Sequence, residues 1–453
     1  MQIIIVGDGK VGMTLTEYLS LEGYDITVID NNPKVINTVV ATYDVIGISG
    51  NGANYDVLTE AGAAKADLLI AATSSDELNI LSCLMAKKIG TKHTIARVRN
   101  PEYAQQLVFL REELGLSMVV NPEFEAAREI SRILRFPSAI KIDYFSKGRV
   151  DLAEIKLPEN GYLAGKRLSD LYKICRDKIL ICAVQRGEEV IIPDGQFLLA
   201  AGDKIHITGS HSALASFFKA IGMFKEKSKH VLIIGGGMIA FYLARQLTDI
   251  GVDVKIIEQK EERCMALSEA LPKATIICGD GTDQATLLEE GIENSDACVA
   301  LTGIDEENII ISLYGQGLGI GKVIAKIDRI SFMDMVESVG IESIISPKYI
   351  TANRIVRYVR AMQNSGESSM KTLYKIVNNQ VEALEFSIPQ DSFYTNIPLK
   401  DLNTKKGILI AAIIRHGRLI IPSGQDHIEA KDSIIVVAAA RDRITNLEDI
   451  FNR

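Results

Sequence analysis

In QIIIVGDGKVGMTL (Gln2–Leu15) an apolar run of strand length meets Gly7, Gly9 and Gly12 and turns at once into helical spacing. That context gives each glycine a task. The first permits a tight turn, the second lets backbone approach a pyrophosphate, and the third lets the helix pack closely on the strand. N–H groups left free at the helix start, with the helix dipole behind them, favour an anion. Gly7, Asp8, Gly9, Lys10 and Val11 are therefore expected to cradle a nucleotide phosphate, and a purely structural strand-to-helix turn is the competing reading.

The pattern returns in VLIIGGGMIAFYLA (Val231–Ala244), where Gly235 and Gly237 stand 228 positions after Gly7 and Gly9. Glu258 follows Asp30 at the same offset. With one inserted residue, GNGANYDVLTEAGAAKADLLIAATSSDELN aligns with GDGTDQATLLEEGIENSDACVALTGIDEEN, which sets Thr73 opposite Thr302 and Asn79 opposite Asn308. IARVRN then meets IAKIDR, so Arg97 faces Lys326. The segments behind each loop unit also match, LYKICRDKILICAVQRGEEVIIPDG with LNTKKGILIAAIIRHGRLIIPSG, and Asp203 falls opposite Asp432. A two-domain unit has been copied in tandem.

Periodicity gives the class of each domain. The runs QIIIVG, DITVID, DLLIAAT, HTIARV and SMVVN alternate with helix-length stretches such as Gly12–Glu22 and Glu77–Ile89, the pattern of βα units in a parallel sheet. ILICAVQRGEEVIIPDGQFLLAAGDKIHITG alternates with period two between polar turns, which suits antiparallel strands. The expected fold is α/β, two tandem Rossmann-like parallel-sheet domains, each followed by a small α+β domain. The first pair spans 1–122 and 141–223 with a connecting helix over 123–140. The second spans 229–347 and 369–453 with a connecting helix over 348–368. FKEKSKH (Phe224–His230) joins the copies, as a charged linker or as the frayed end of a helix.

Further candidate ligands sit at strand ends, the edge where such sheets bind. Asp30 in ITVIDNN and Glu258 in VKIIEQK are placed to accept ribose hydroxyls and to repel a 2′-phosphate, with a turn or cap carboxylate as the alternative. Thr73 and Ser74 follow the strand in DLLIAAT, and a ligand contact and a helix N-cap fit them equally. Arg97, and Lys326 in the copy, offer a cation to phosphate oxygens or to a surface ion pair. In the second loop, Gly235, Gly236, Gly237, Met238 and Ile239 repeat the cradle, but Met238 replaces Lys10 and Ala240 replaces Gly12. Nucleotide binding and a copy kept for packing both fit it.

Composition removes several classes. At 453 residues, with 47% hydrophobic and 24% charged residues, the chain reads as several globular domains. A net charge of −8 without a dense Lys/Arg run speaks against nucleic acid. Cys83, Cys175, Cys182, Cys264, Cys278 and Cys298 form no CxxC pair and have no neighbouring histidine, so a reduced cytoplasmic protein without a metal set is expected. The start carries no signal-peptide pattern, and the apolar Val231–Ala244 run falls short of the roughly 18–20 residues that span a bilayer. The six histidines (His93, His206, His211, His230, His416, His427) pair with no carboxylate motif, so no catalytic residues are assigned. An NAD-dependent oxidoreductase stays the rival class, because fold alone does not fix function.

MQIIIVGDGKVG, GNG with AGAAKADLLIAATSSDELN, and IARVRNPEY followed by NPE, each with a later partner, closely resemble the TrkA family of Trk potassium-uptake regulators. The resemblance covers essentially the whole chain and implies two tandem RCK units (regulators of K⁺ conductance). It implies a cytoplasmic, non-enzymatic subunit in a ring of four chains, peripheral to the inner membrane face beneath a separate potassium-conducting membrane protein. NAD⁺/NADH, and often ATP or ADP, would bind the Rossmann-like domains and adjust opening; regulation of potassium efflux is a related alternative. Carried over, one site takes Gly7, Asp8, Gly9, Lys10, Val11, Asp30, Thr73, Ser74 and Arg97. The other takes Gly235, Gly236, Gly237, Met238, Ile239, Glu258, Thr302 and Lys326. Glu123 resembles a family acidic position near a neighbouring subunit's nucleotide, against the plainer reading of a helix-start carboxylate after Pro122; the copy has Lys348 there. These differences imply that the first site carries the phosphate-sensitive response and the second binds weakly or is structural.

Overall fold

The computed structural model describes residues 1–453 except 104–105, 107–110, 112, 146–148, 174–176, 330–331, 364–369, 378–379, 389–391, 443, 445 and 453. Cys175 lies outside the described residues. The first segment runs β1 (Gln2–Val6), α1 (Lys10–Leu21), β2 (Asp25–Asp30), α2 (Pro33–Thr42), β3 (Ile46–Ser49), α3 (Tyr55–Glu60), β4 (Leu68–Ala71), α4 (Asp76–Ile89), β5 (His93–Arg97), β6 (Met118–Val120) and α5 (Pro122–Arg135). Its sheet has the order β3-β2-β1-β4-β5-β6 with parallel pairings. Order reverses between β1 and β4, so the crevice for a ligand opens at the carboxyl ends of those strands, where the first glycine loop stands.

Next come β7 (Lys141–Phe145), β8 (Val150–Lys156), β9 (Leu180–Arg186), β10 (Glu189–Ile191), β11 (Lys204–Gly209) and α6 (His211–Ala220), whose antiparallel sheet is ordered β10-β9-β11-β8-β7. No helix or strand covers Phe224–Lys229. The chain then repeats itself as β12 (His230–Ile234), α7 (Met238–Thr248), β13 (Asp253–Glu258), α8 (Glu261–Ala270), β14 (Thr275–Cys278), α9 (Gln284–Glu289), β15 (Ala297–Ala300), α10 (Asp305–Gly317), β16 (Lys322–Lys326), α11 (Met333–Ser338), β17 (Ser343–Ile345) and α12 (Pro347–Gln363). This sheet is ordered β14-β13-β12-β15-β16-β17, position for position the first. Last are β18 (Met370–Ile376), β19 (Val381–Ser387), β20 (Ile408–Arg415), β21 (Arg418–Ile420) and β22 (Ser433–Ala439), ordered β18-β19-β22-β20-β21. The α/β class, with two Rossmann-like parallel sheets and two small antiparallel ones, is what the chain adopts.

Burial explains the sequence patterns. β4 (LLIA) and β15 (ACVA) are buried at every position, as central parallel strands covered on both faces must be. β3 and β14, which the apolar-run pattern did not mark, are half-exposed edge strands, and such strands carry little hydrophobic signal.

The chain forms two compact units. One holds Met1–Ser131, His230–Gly319 and Val323–Val356, with both parallel sheets; the other holds Arg132–Lys229, Ile320–Lys322 and Arg357–Arg453, with the antiparallel sheets. In the second unit the antiparallel sheets share one core, in which Leu152, Cys182 and Ala183 pack with Ala383, Ala412 and Val437. The duplication shows in polar detail there too. Asp203 is fully buried and takes a two-pronged hydrogen bond from Arg186, and Arg415 repeats this on Asp432. Among the described residues no helix is long and apolar enough to cross a membrane.

Candidate nucleotide cleft

Both glycine loops have the geometry their spacing predicts. Gly7 and Gly235 have φ of +86° and +99°, and a Cβ on either would lie 2.8 Å from backbone of the Thr73 or Leu301 segment. Gly9 and Gly237 are the N-caps of α1 and α7, and neither helix start has a side-chain cap or an acidic residue in its first turn. A Cβ built on either of these glycines meets nothing within 4 Å. Open backbone at an uncapped helix start of 12 or 11 residues is the arrangement that receives a phosphate.

The strand-end carboxylates clamp these loops. Asp30 accepts the Asp8 and Asn32 N–H groups, both at 2.9 Å. Glu258 accepts those of Gly236 at 2.7 Å and Lys260 at 2.9 Å. The turn role weighed against ribose binding is thus present, and it leaves lone pairs free for a ribose. Thr73 and Thr302 are held alike: each N–H donates to the buried Asn79 or Asn308 at 2.8 Å, and each carbonyl accepts Arg97 at 2.9 Å or Lys326 at 3.1 Å. The N-cap of α4 is Ser75, not Thr73 or Ser74. Asn79 and Asn308 were visible as repeated letters, but nothing in their spacing announced that they lock the strand ends.

The second loop opens on a cleft of about 880 Å³. Its own side supplies Gly235–Ile239, Glu258, Arg263, Asp280, Thr302, Lys326, Asp328 and Lys348, and the first half of the same unit supplies Lys10, Val11, Arg97, Arg99 and Glu123. Lys10 donates to Asp328 at 2.9 Å, across the halves, rather than lying over its own loop. Burial raises the Asp328 carboxyl, yet the bond from Lys10 with the charges of Lys326 and Lys348 brings it below the ordinary value. The cation missing at Met238 is made good by Arg263, which donates to the Gly236 carbonyl at 2.7 Å and approaches the Met238 sulfur at 3.9 Å. Glu123 does begin a helix, and it also binds Arg99 at 2.7 Å and lies 3.7 Å from Arg97, while its second oxygen and the Arg97 Nε are buried without partners. Arg99 was not read as a cleft residue because it enters through packing of one repeat on the other, and Arg263, Asp328 and Lys348 because the fold brings them in from elements far along their own repeat. Tyr242 marks that packing: its hydroxyl donates to the Arg99 carbonyl at 2.9 Å and accepts from Asn121 at 3.0 Å.

Asp8, where the copy has Gly236, is 1% exposed and accepts from Thr16, but its other oxygen has no partner. Burial chiefly, and the Asp30 charge, raise its carboxyl to about 6. The folded state therefore holds a proton that the unfolded state has already released, so stability falls as pH rises from about 4 to 6 and stays lower above that. Asp8→Asn should stabilise the protein at pH 7.5 by on the order of 1–2 kcal/mol after solvent screening at the loop, raising the melting temperature, and the gain should vanish near pH 4. An equal gain at both pH values in thermal melts would refute this origin.

The TrkA-N domain profile matches residues 3–122 and 231–347, and the TrkA-C domain profile matches 152–222 and 383–452. The Trk system potassium uptake protein TrkA homolog of Archaeoglobus fulgidus is 34% identical over 451 residues, the full length of both chains. The TrkA of Haemophilus influenzae is 31% identical over 462 residues, covering all of this chain and 98% of that one. Among solved structures, the GsuK channel covers 99% of this chain and 78% of its own at TM-score 0.64 and 20% identity, and the GsuK channel bound to NAD gives 99%, 77%, 0.63 and 19%. At that identity these structures speak for the fold. With both repeats matched in order and relatives above 30% identity aligned end to end, the chain belongs to the TrkA family of Trk-system potassium uptake proteins.

Proposed function

We propose that this protein is the cytoplasmic, nucleotide-sensing regulatory subunit of a Trk-type potassium uptake system and adjusts a separate potassium-conducting membrane protein. The observation that carries the reading is the second cleft, where an uncapped helix start with open Gly237 backbone faces Lys10, Arg97, Arg99, Arg263, Lys326 and Lys348. So many cations around free N–H groups suit a di- or triphosphate or a dinucleotide. NAD(H), ADP and ATP are the proposed ligands, held at the first loop by the backbone of Gly7, Asp8, Gly9, Lys10 and Val11 with Asp30, Thr73, Ser74 and Arg97. At the second, Gly235, Gly236, Gly237, Met238, Ile239, Glu258, Thr302 and Lys326 hold the ligand, and the nucleotide supplies charge rather than chemistry. Because cleft walls come from both halves, a ligand there would gain or lose contacts if the halves moved against each other, and such a difference is what shifts an equilibrium.

The four sheets and the paired profile matches support domains at 1–122, 141–223, 229–347 and 369–453, and the helices Pro122–Arg135 and Pro347–Gln363 lie where connecting helices were expected over 123–140 and 348–368, the first ending at Arg135. The relatives' names support potassium uptake. The ring of four chains and attachment to a membrane partner belong to the same proposal. Titration of the full chain with NADH, NAD⁺, ADP and ATP, with mass determined before and after, tests it. Saturable binding in the micromolar range, about 8 kcal/mol, by a tetramer-sized assembly is expected. No binding, or steady consumption of NADH with a small carbonyl compound, would overturn the reading.

A further inference from the structure

Beside the second cleft stand two thiols that the sensor reading does not use. β13 and β14 pair in parallel with Glu258 opposite Cys278, and α8 brings Cys264 back over the same strand ends. Cys264 Sγ donates to the Glu258 carbonyl at 3.2 Å and lies 4.0 Å from that of Ile277. Cys278 Sγ lies 4.0 Å from the Gln259 carbonyl, so the two thiols flank the same Glu258–Gln259 segment, close enough that Cys278 helps raise the Cys264 thiol. The pair thus brackets Glu258, whose carboxylate holds the Gly236 N–H, and Gln259, next to Glu258, and Asp280, two residues after Cys278, line the cleft. The first half has no counterpart, since Ile36 occupies the helix position and Ser49 is the residue opposite Asp30.

We propose that Cys264 and Cys278 are an oxidisable pair that closes to a disulfide at the second glycine loop and weakens nucleotide binding there. Access sets the order of events. Cys278 is exposed, whereas Cys83, Cys182 and Cys298 are fully buried, so among the described cysteines a hydroperoxide in water meets Cys278 first. Cys264 is buried, and burial first and its thiol neighbour second raise it to about 11, which keeps it protonated and unoxidised until its partner has reacted. The Cys278 thiol takes one oxygen from the hydroperoxide, giving a sulfenic acid and water, or an alcohol from an organic hydroperoxide. Cys264 sulfur then attacks Cys278 sulfur; the S–S bond forms, and the departing hydroxide leaves as water with the thiol proton. Closure removes the Cys264 donor from the Glu258 carbonyl and pulls α8 towards β14, which disturbs the clamp on Gly236. Disulfides of this kind in reducing compartments are transient and sensory.

The effect on binding rests on the proposed nucleotide role; the thiol chemistry does not. The full chain carrying Gly9→Asp, so that only the second loop reports, is treated with hydrogen peroxide and alkylated, and its peptides are weighed, with ADP titrated before treatment, after it and after dithiothreitol. A Cys264–Cys278 cross-linked peptide, lost with dithiothreitol and absent from Cys278→Ser, is expected, with ADP binding weaker by roughly fivefold and a melting midpoint raised by a few degrees. Alkyl label on both thiols after oxidation, or Cys278 driven to the sulfinic acid without a cross-link, would overturn the pair. A cross-link that leaves ADP affinity unchanged would overturn its regulatory effect. A cross-link in a protein that binds no ADP even when reduced would instead sink the nucleotide reading and leave the thiol pair standing.

Discussion

Gly237→Asp is expected to abolish nucleotide binding at the second loop while leaving the protein at least as stable as before. The two effects separate because of where the residue stands. Gly237 is the N-cap of α7 at φ −66° and ψ −172°, a conformation open to any residue, and a Cβ there meets nothing within 4 Å. Aspartate is among the best N-caps and should satisfy a free N–H of the first turn, worth about 1 kcal/mol. The same carboxylate occupies the helix start with a negative charge where a phosphate would need the N–H groups, so affinity should fall by roughly 100-fold or more, close to 3 kcal/mol. Calorimetric titration with ADP and NADH alongside thermal melts measures both. A melt lowered by several degrees would mean that the loop is strained by any side chain. Undiminished ADP binding, with Gly9→Asp equally silent, would remove the loops from the binding site altogether.

Gly9→Asp, set beside it, tests how unequal the two sites are. Sequence favoured the first, because Lys10 supplies a cation where the copy has Met238. The structure moves that argument. Lys10 reaches Asp328 in the second half, and Arg263 stands over the second loop, so the second cleft has gained the cations that the letters assigned to the first. Asp8 adds a carboxyl beneath the first loop that disfavours a phosphate when ionised. We therefore expect Gly237→Asp to remove the larger share of ADP affinity.

What could be read from sequence follows a physical line. The glycine loops, the strand-end carboxylates and the repeat were legible because backbone conformation and close approach restrict residue type locally, and duplication displayed each restriction twice. Asp203 and Asp432 could be paired by register for that reason. Their arginines, Arg186 and Arg415, stood at equal spacing but carried no signal of burial. β3 and β14 escaped because a half-exposed edge strand need not be apolar. Arg99, Arg263, Asp328 and Lys348 escaped for a different reason: their side chains reach the cleft from α8, from strand and helix ends and from across the halves, and no period in the chain encodes that convergence.

The third glycine provides the sharpest contrast between the copies. Gly12→Ala is expected to cost the first half about 2–3 kcal/mol or more, because the added Cβ would lie 2.0 Å from the Gly7 carbonyl oxygen and 2.9 Å from its carbon, and neither is a side-chain tip that can turn away. α1 would have to lift from β1, taking the open Gly9 N–H groups with it, so first-loop binding should fall together with stability. The copy already carries Ala240, fully buried at the equivalent place, so there the loop and helix accommodate a methyl group. Ala240→Gly should therefore relieve no clash and cost only about 1 kcal/mol in helix propensity. Urea unfolding of both variants, with ADP titrated in a Gly237→Asp background to isolate the first loop, measures the asymmetry. Equal and small losses from the two substitutions would mean that helix and loop slide freely against each other, and that the close fit inferred for Gly12 has no energetic weight.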